Sequence, residues 1–121
     1  MEKILSFKAG SDIPASHFVK FDGKDIVKVA SSSTDNIIGV ADTVKRSEGE
    51  TEDVYLPSSI VQLTLGGTVE AGDALTANST GAAIKAKSGD NIAAIALDEG
   101  DEGNVITALV VAQRNITAEE E

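Results

Sequence analysis

Short apolar runs alternate along this chain with clusters of turn-forming residues, and neither lasts more than a few positions. Residues 18–21 alternate apolar and polar side chains, and residues 26–29 are mostly β-branched. Further runs of strand length occupy residues 37–41, 54–56, 60–65, 74–77, 82–86, 92–96 and 105–111. Between them lie Gly10-Ser11-Asp12, Asp22-Gly23-Lys24, Gly66-Gly67, Ala71-Gly72-Asp73, Ser88-Gly89-Asp90 and similar groups, whose side chains suit tight turns. Evenly spaced short strands of this kind predict an all-β barrel or sandwich. Helix is nearly absent: Pro57-Ser58-Ser59 offers one turn at most. The alanine-rich stretch 92–97 is hemmed in by turn residues and reads as a strand. The expected core comprises Val19, Ile26, Val29, Ile38, Val40, Leu63, Leu75, Ile84, Ile92, Ile95, Val105 and Leu109.

The pattern repeats. Asp35-Asn36-Ile37-Ile38-Gly39-Val40-Ala41 recurs as Asp90-Asn91-Ile92-Ala93-Ala94-Ile95-Ala96. Upstream, residues 13–19 correspond to 69–75, and Ile26-Val27-Lys28-Val29 answers Ala83-Ile84-Lys85-Ala86. Each copy continues into an acidic glycine-bearing turn and another strand: Val54-Tyr55-Leu56 in one, Val105-Ile106-Thr107 in the other. Two related β units of similar size are expected to close against each other around a shared core.

Composition narrows the chemistry. The 121 residues suit one domain, and the core must be built from Val, Ile, Leu and Ala, since there are three Phe, one Tyr and no Trp. Without cysteine there is no disulfide, thiolate site or cysteine nucleophile. Twenty acidic residues against ten basic ones argue against direct nucleic-acid binding, which needs a basic face. No apolar run approaches membrane-spanning length and no signal-peptide core follows Met1, so no membrane partner is expected and the chain reads as made in the cytoplasm. Residues 115–121 read as an acidic, solvated tail.

No catalytic constellation emerges. His17, the single histidine, stands between Ser16 and Phe18 without neighbouring ligands or a nucleophile, and reads as a surface or rim residue. The acidic stretches 48–53 and 98–103 lack the ligand spacing of a calcium loop and read as solvated turns. Lys85 lies within an alternating strand, unlike the hairpin-tip lysine of a carrier domain. Asn78-Ser79-Thr80 and Asn115-Ile116-Thr117 match a glycosylation pattern that has no meaning without secretion. No enzyme activity, cofactor or metal is expected, and a structural or binding role remains.

The order of these elements resembles the capsid decoration, or cement, proteins of tailed phages, a family long catalogued as a domain of unknown function. The residues that carry the resemblance are the Ile37-Ile38-Gly39-Val40-Ala41 core, the acidic turn after it, Gly67-Thr68-Val69-Glu70-Ala71-Gly72-Asp73-Ala74-Leu75, the Gly81 turn, residues 92–96 and the last strand, 105–111. It spans residues 13–111, with Ala93-Ala94 standing where the second copy would be expected to carry glycine. The resemblance implies a small single-domain β-barrel or β-tulip (residues 12–114) that binds the outer surface of the expanded phage head. It would contact the major capsid protein and stabilise contacts between capsomers as a homo-oligomer, with a trimer as the expected state. Leu65, Val69, Val110 and Val111 are candidates for an oligomer rim. Residues 1–11 are either an arm that orders on docking or the first barrel strand; as candidate capsid contacts they offer Lys3, Ile4, Leu5, Phe7 and Lys8. The alternative function is a bacterial β-barrel module that binds a carbohydrate or an assembly scaffold.

Overall fold

The computed structural model describes residues 3–115, which form ten strands and no helix. In chain order they are β1 (Ile4–Ala9), β2 (Phe18–Phe21), β3 (Ile26–Val29), β4 (Ile37–Ala41), β5 (Thr51–Tyr55), β6 (Ile60–Thr64), β7 (Ala74–Ala77), β8 (Ala83–Lys85), β9 (Asn91–Ala96) and β10 (Val105–Asn115). The expected all-β class holds, and so do the bounds of β2, β3, β4 and β7. The tail beyond residue 115 lies outside the described residues.

The first five strands close into a barrel in the order β1-β3-β2-β4-β5, with β1 parallel to β3 and antiparallel to β5. The second five form a sheet in the order β6-β10-β9-β7-β8. This is the same cyclic order cut at one seam, which a parallel bridge between Leu65 and Ala83 draws together. The halves agree residue by residue. Val19 pairs with Val29 as Leu75 pairs with Lys85. Phe18 pairs with Val40 as Ala74 pairs with Ile95. Ile4 faces Tyr55 as Ile60 faces Leu109. Even the isolated bridges match, Ile13 to Arg46 and Val69 to Gly100.

This register corrects the sequence alignment in two places. The counterpart of Val29 is Lys85, one residue from the Ala86 expected. The counterpart of Val105 is Thr51 and not Val54, because β5 starts earlier than its apolar residues do: Lys8 pairs with Thr51 as Thr64 pairs with Val105. The acidic Thr51-Glu52-Asp53 segment, read as a turn, is strand.

Each half surrounds its own interior, so the single shared core is also corrected. Ala9, Ile13, Val19, Val27, Ala41 and Val54 fill the first barrel. A larger cluster fills the second half and runs on into Phe18, Ala30, Ile37 and Val40, which project from the outside of the first. Burying Phe18 there contributes about 2–3 kcal/mol before ordering costs. Of the expected core, Val19, Val40, Leu63 and Leu75 are fully buried. Ile26, Val29, Ile38, Ile84, Ile92, Ile95 and Leu109 are half-buried, and Val105 is 52% exposed. The core of the second half mixes alanines, including Ala83, Ala94, Ala96 and Ala108, with larger side chains such as Leu63, Leu65, Leu75 and Ile106. Leu65, Val69 and Val110 are buried and form no rim.

Candidate docking surfaces

Residues 4–9 are a barrel strand and not a detached arm. The start of β1 is pinned to the linker between the halves: the Lys3 amide donates to Ser59 Oγ (2.8 Å), and the Leu56 amide donates to the Lys3 carbonyl (2.7 Å). Pairing with β5 sets which way each side chain points. Leu5 stands opposite Val54 and Phe7 opposite Glu52, both buried, so Leu5, Phe7 and Ala9 share the inward face. Ile4, Ser6 and Lys8 face out. The five residues singled out in the sequence are therefore split between two surfaces. Lys8 borders a groove of about 630 Å³ with Gly10, Lys28 and Glu48, while Leu5 and Phe7 lie toward one end of the barrel.

That end is open and apolar. Leu5 is 55% exposed and Phe21 51%. Phe7 and Phe21 stack edge to face, with ring centroids 5.4 Å apart at 83°. Together with Gly23, Lys24 and Asp25 they line a cavity of about 460 Å³. The corresponding end of the second half is shut. There Val61, Leu63 and Ala77 are buried in the cluster that includes Phe18, Ala30 and Val40 of the first barrel. The side of one barrel thus covers the end of the next.

Polar contacts lock this joint. Asn91 donates through Nδ2 to the carbonyls of Thr34 (3.0 Å) and Asp35 (2.9 Å), and through its amide to the Ser33 carbonyl (2.8 Å). The loop that presents those carbonyls is organised by Asp35, which accepts from the Ser31 amide (2.8 Å) and pairs with Lys20 (3.2 Å). Burial pushes the Asp35 pKa up, but the Ser31 and Ser32 amides and Lys20 outweigh it and hold the carboxyl below its ordinary value.

Glu52 was not legible as a special residue. It is fully buried inside the first barrel, where Oε2 accepts from the Asp42 amide at 3.3 Å and Oε1 has no partner. Nearby Arg46 pairs with Asp42 (3.6 Å) and leaves its own Nε buried and unpaired. Burial pushes the Glu52 pKa up to about 7; the Asp42 amide and Arg46 partly oppose this, and the Asp42 and Asp53 carboxylates add to it. The group can hold a proton near neutrality. The signal was available in the alternation of Glu52 with Val54.

Elsewhere the candidates are structural. His17 Nδ1 lies 2.8 Å from the Ala15 carbonyl. Asn78 Oδ1 accepts from the Thr80 and Ala82 amides and shapes its own turn. In the second acidic stretch, Asp101 accepts from Thr68 Oγ1 and Asp98 from the Glu99 amide, as turn residues do. Among the described residues, no three His, Asp or Glu side chains are grouped to hold a metal ion.

Known proteins agree with this architecture. The N base of head fiber gp8.5 from bacteriophage phi29 superimposes with a TM-score of 0.69 at 21% identity, over 94% of this chain and 98% of that one. That likeness is one of fold. No curated protein matches the sequence. The family model of phage cement proteins matches residues 2–113. The chain therefore belongs to the phage cement protein family and is a structural protein of the phage head.

Proposed function

We propose that this protein decorates the outer surface of the expanded phage head, where it binds the major capsid protein and strengthens contacts between neighbouring capsomers. The family match across residues 2–113 carries the reading. The surface supports it: an acidic protein with a net charge of −10 stays soluble at the high local concentrations of assembly, and outward-facing Ile4 and Lys8 of β1, with exposed Lys3 just before the strand, form a small basic and apolar edge. This edge is the proposed capsid contact. The protein acts as a homo-oligomer, with three copies as the expected state, so that several weak edges bind together.

Titrating the protein onto expanded, empty heads tests the proposal. Binding should saturate at a fixed number of copies per head and raise the temperature at which the shells break. Lys3→Glu with Lys8→Glu should weaken attachment at least tenfold without changing the circular dichroism spectrum. Absence of saturable binding would refute the decoration role. Undiminished binding of the double variant would move the contact away from β1.

A further inference from the structure

Both halves of the chain carry the same two surfaces, and the fold uses one of each. The side of the first barrel, at Phe18, Val40 and Tyr55, covers the end of the second half at Val61 and Ala77. Their counterparts are left uncovered. On the second half these are Ala74, Ile95 and Leu109, which cross-strand pairing places on one row ending at Ile60, 52% exposed. In β9, Ala94 takes the opposite face and Ile95, half-buried, stays on this outer row, which leaves a large apolar side chain on an unpartnered face. On the first barrel the counterparts of Val61 and Ala77 are Leu5 and Phe21, at the open end.

The differences between the used and unused surfaces compensate one another. A large Phe18 meets an end lined by small Ala77; among the counterparts, the side carries small Ala74 and the end carries large Phe21. The second compensation is one of charge. A Cβ on Gly81 would lie 2.5 Å from Val29 Cγ2, so the internal joint needs glycine there. The counterpart of Gly81 is Asp25, which shares its positive φ (63° against 84°), and the counterpart of Val29 is Lys85. Where an apolar clash is avoided inside the chain, two opposite charges would meet between chains. Neither Asp25 nor Lys85 belongs to an ion pair among the described residues.

We infer that a second copy of this chain docks head to tail, the side of its second half closing the open end of the first barrel. The joint repeats the internal one, in which Ser16 and Phe18 enter between β6 and β8: the Thr64 amide donates to the Ser16 carbonyl and the Phe18 amide to the Gly81 carbonyl, each at 2.9 Å. In the first barrel the matching gap is held by one hydrogen bond, from the Lys8 amide to the Asp25 carbonyl (2.9 Å). Entry of Gly72 and Ala74 from the second copy exchanges that bond for two, Lys8 amide to Gly72 carbonyl and Ala74 amide to Asp25 carbonyl. Because the two surfaces differ, the contact is heterologous and closes into a ring where the rotation permits. The inference names the contacts of the homo-oligomer proposed above, and rests on that reading for its biological setting.

Sedimentation velocity on the full chain, without capsids, tests it. The wild type should run as an assembly. Leu5→Asp, at the open end, and Leu109→Asp, at the side, should each run as a monomer with an unchanged circular dichroism spectrum. Mixed in equal amounts they should form a dimer and nothing larger, since each variant keeps the surface the other has lost. Exposed Asp25→Lys and Lys85→Glu, which cannot unfold a core, should each weaken assembly about tenfold, and the double reversal should restore it. A monomeric wild type, a single apolar variant that still assembles, or a mixture that stays monomeric would overturn the inference. Head binding is measured separately, so a chain that assembles but ignores heads would sink the decoration reading alone.

Discussion

Glu52 and Ile106 occupy the same position in the two halves. Glu52 stands across from Phe7 on β1, and Ile106 stands across from Leu63 on β6. One barrel therefore holds a buried carboxyl where the other holds an aliphatic side chain, with the same strands around both. The first barrel keeps Asp42 and Arg46 beside its carboxyl. At the matching positions the second has Leu97 and Gly100.

The proton on Glu52 makes stability depend on pH. Its folded pKa, about 7, lies above the ordinary value of 4.5, so the folded chain binds the proton more tightly than the unfolded chain does. The stabilisation is complete below about pH 4.5 and is lost as pH rises through 7. Urea midpoints should fall between pH 5 and 8, and Glu52→Gln should flatten that slope. Glu52→Ile, which copies the second half, should be more stable than the parent at pH 8 by roughly 1–3 kcal/mol, since well-packed apolar groups often replace buried charges without loss. A parent whose midpoint is level or rising across this range would contradict the assignment.

Asn91 closes the joint between the halves, so Asn91→Ala should leave the Thr34 and Asp35 carbonyls without its two side-chain bonds. The expected loss is about 1–3 kcal/mol in urea unfolding. Asp35→Ala should loosen the same loop. Its contribution has the opposite pH dependence to that of Glu52, because the Asp35 pKa is depressed: it is present above pH 4 and fades as pH falls through the folded pKa.

Two glycines with positive φ separate packing from backbone strain. Gly81→Ala brings both, because its Cβ meets Val29 and the Ala30 carbonyl (2.9 Å). Gly103→Ala brings strain alone, with nothing within 4 Å. The first should cost at least about 2 kcal/mol more than the second in chemical denaturation, given the usual cost of overpacking. Equal costs would mean that the joint tolerates the methyl group.

Deleting residues 1–9 removes β1, which lies between β3 and β5 and pairs with both in the closed barrel. The truncated chain should lose a large part of its sheet signal in circular dichroism. A truncated chain that keeps a native spectrum would show that the strand is dispensable.

Local pattern was enough for much of this. The bounds of β2, β3, β4 and β7 follow from alternation and turn chemistry, which act over neighbouring residues, and the repeat is visible in Asp35-Asn36-Ile37 and Asp90-Asn91-Ile92. The errors have one origin. Glu52 and Asp53 are charged, so β5 looked like a turn until pairing with β1 drew it into the barrel wall. The first strand looked like a possible arm because half of its apolar side chains lie at an open end, where burial does not reveal them.

By itself, the sequence determined that the chain is all-β, doubled, without cysteine and acidic, since these depend on residue type and short-range periodicity. Tertiary structure alone decided which face of each strand is inside. In β9, pairing with Ala74 and Leu109 set Ile95 on the outer row and alternation turned the smaller Ala94 to the other face, against hydrophobicity. It also decided that the side of one barrel stops the end of the next. That contact joins residues far apart in the chain, Phe18 with the end formed by Val61 and Ala77, and no local pattern encodes it.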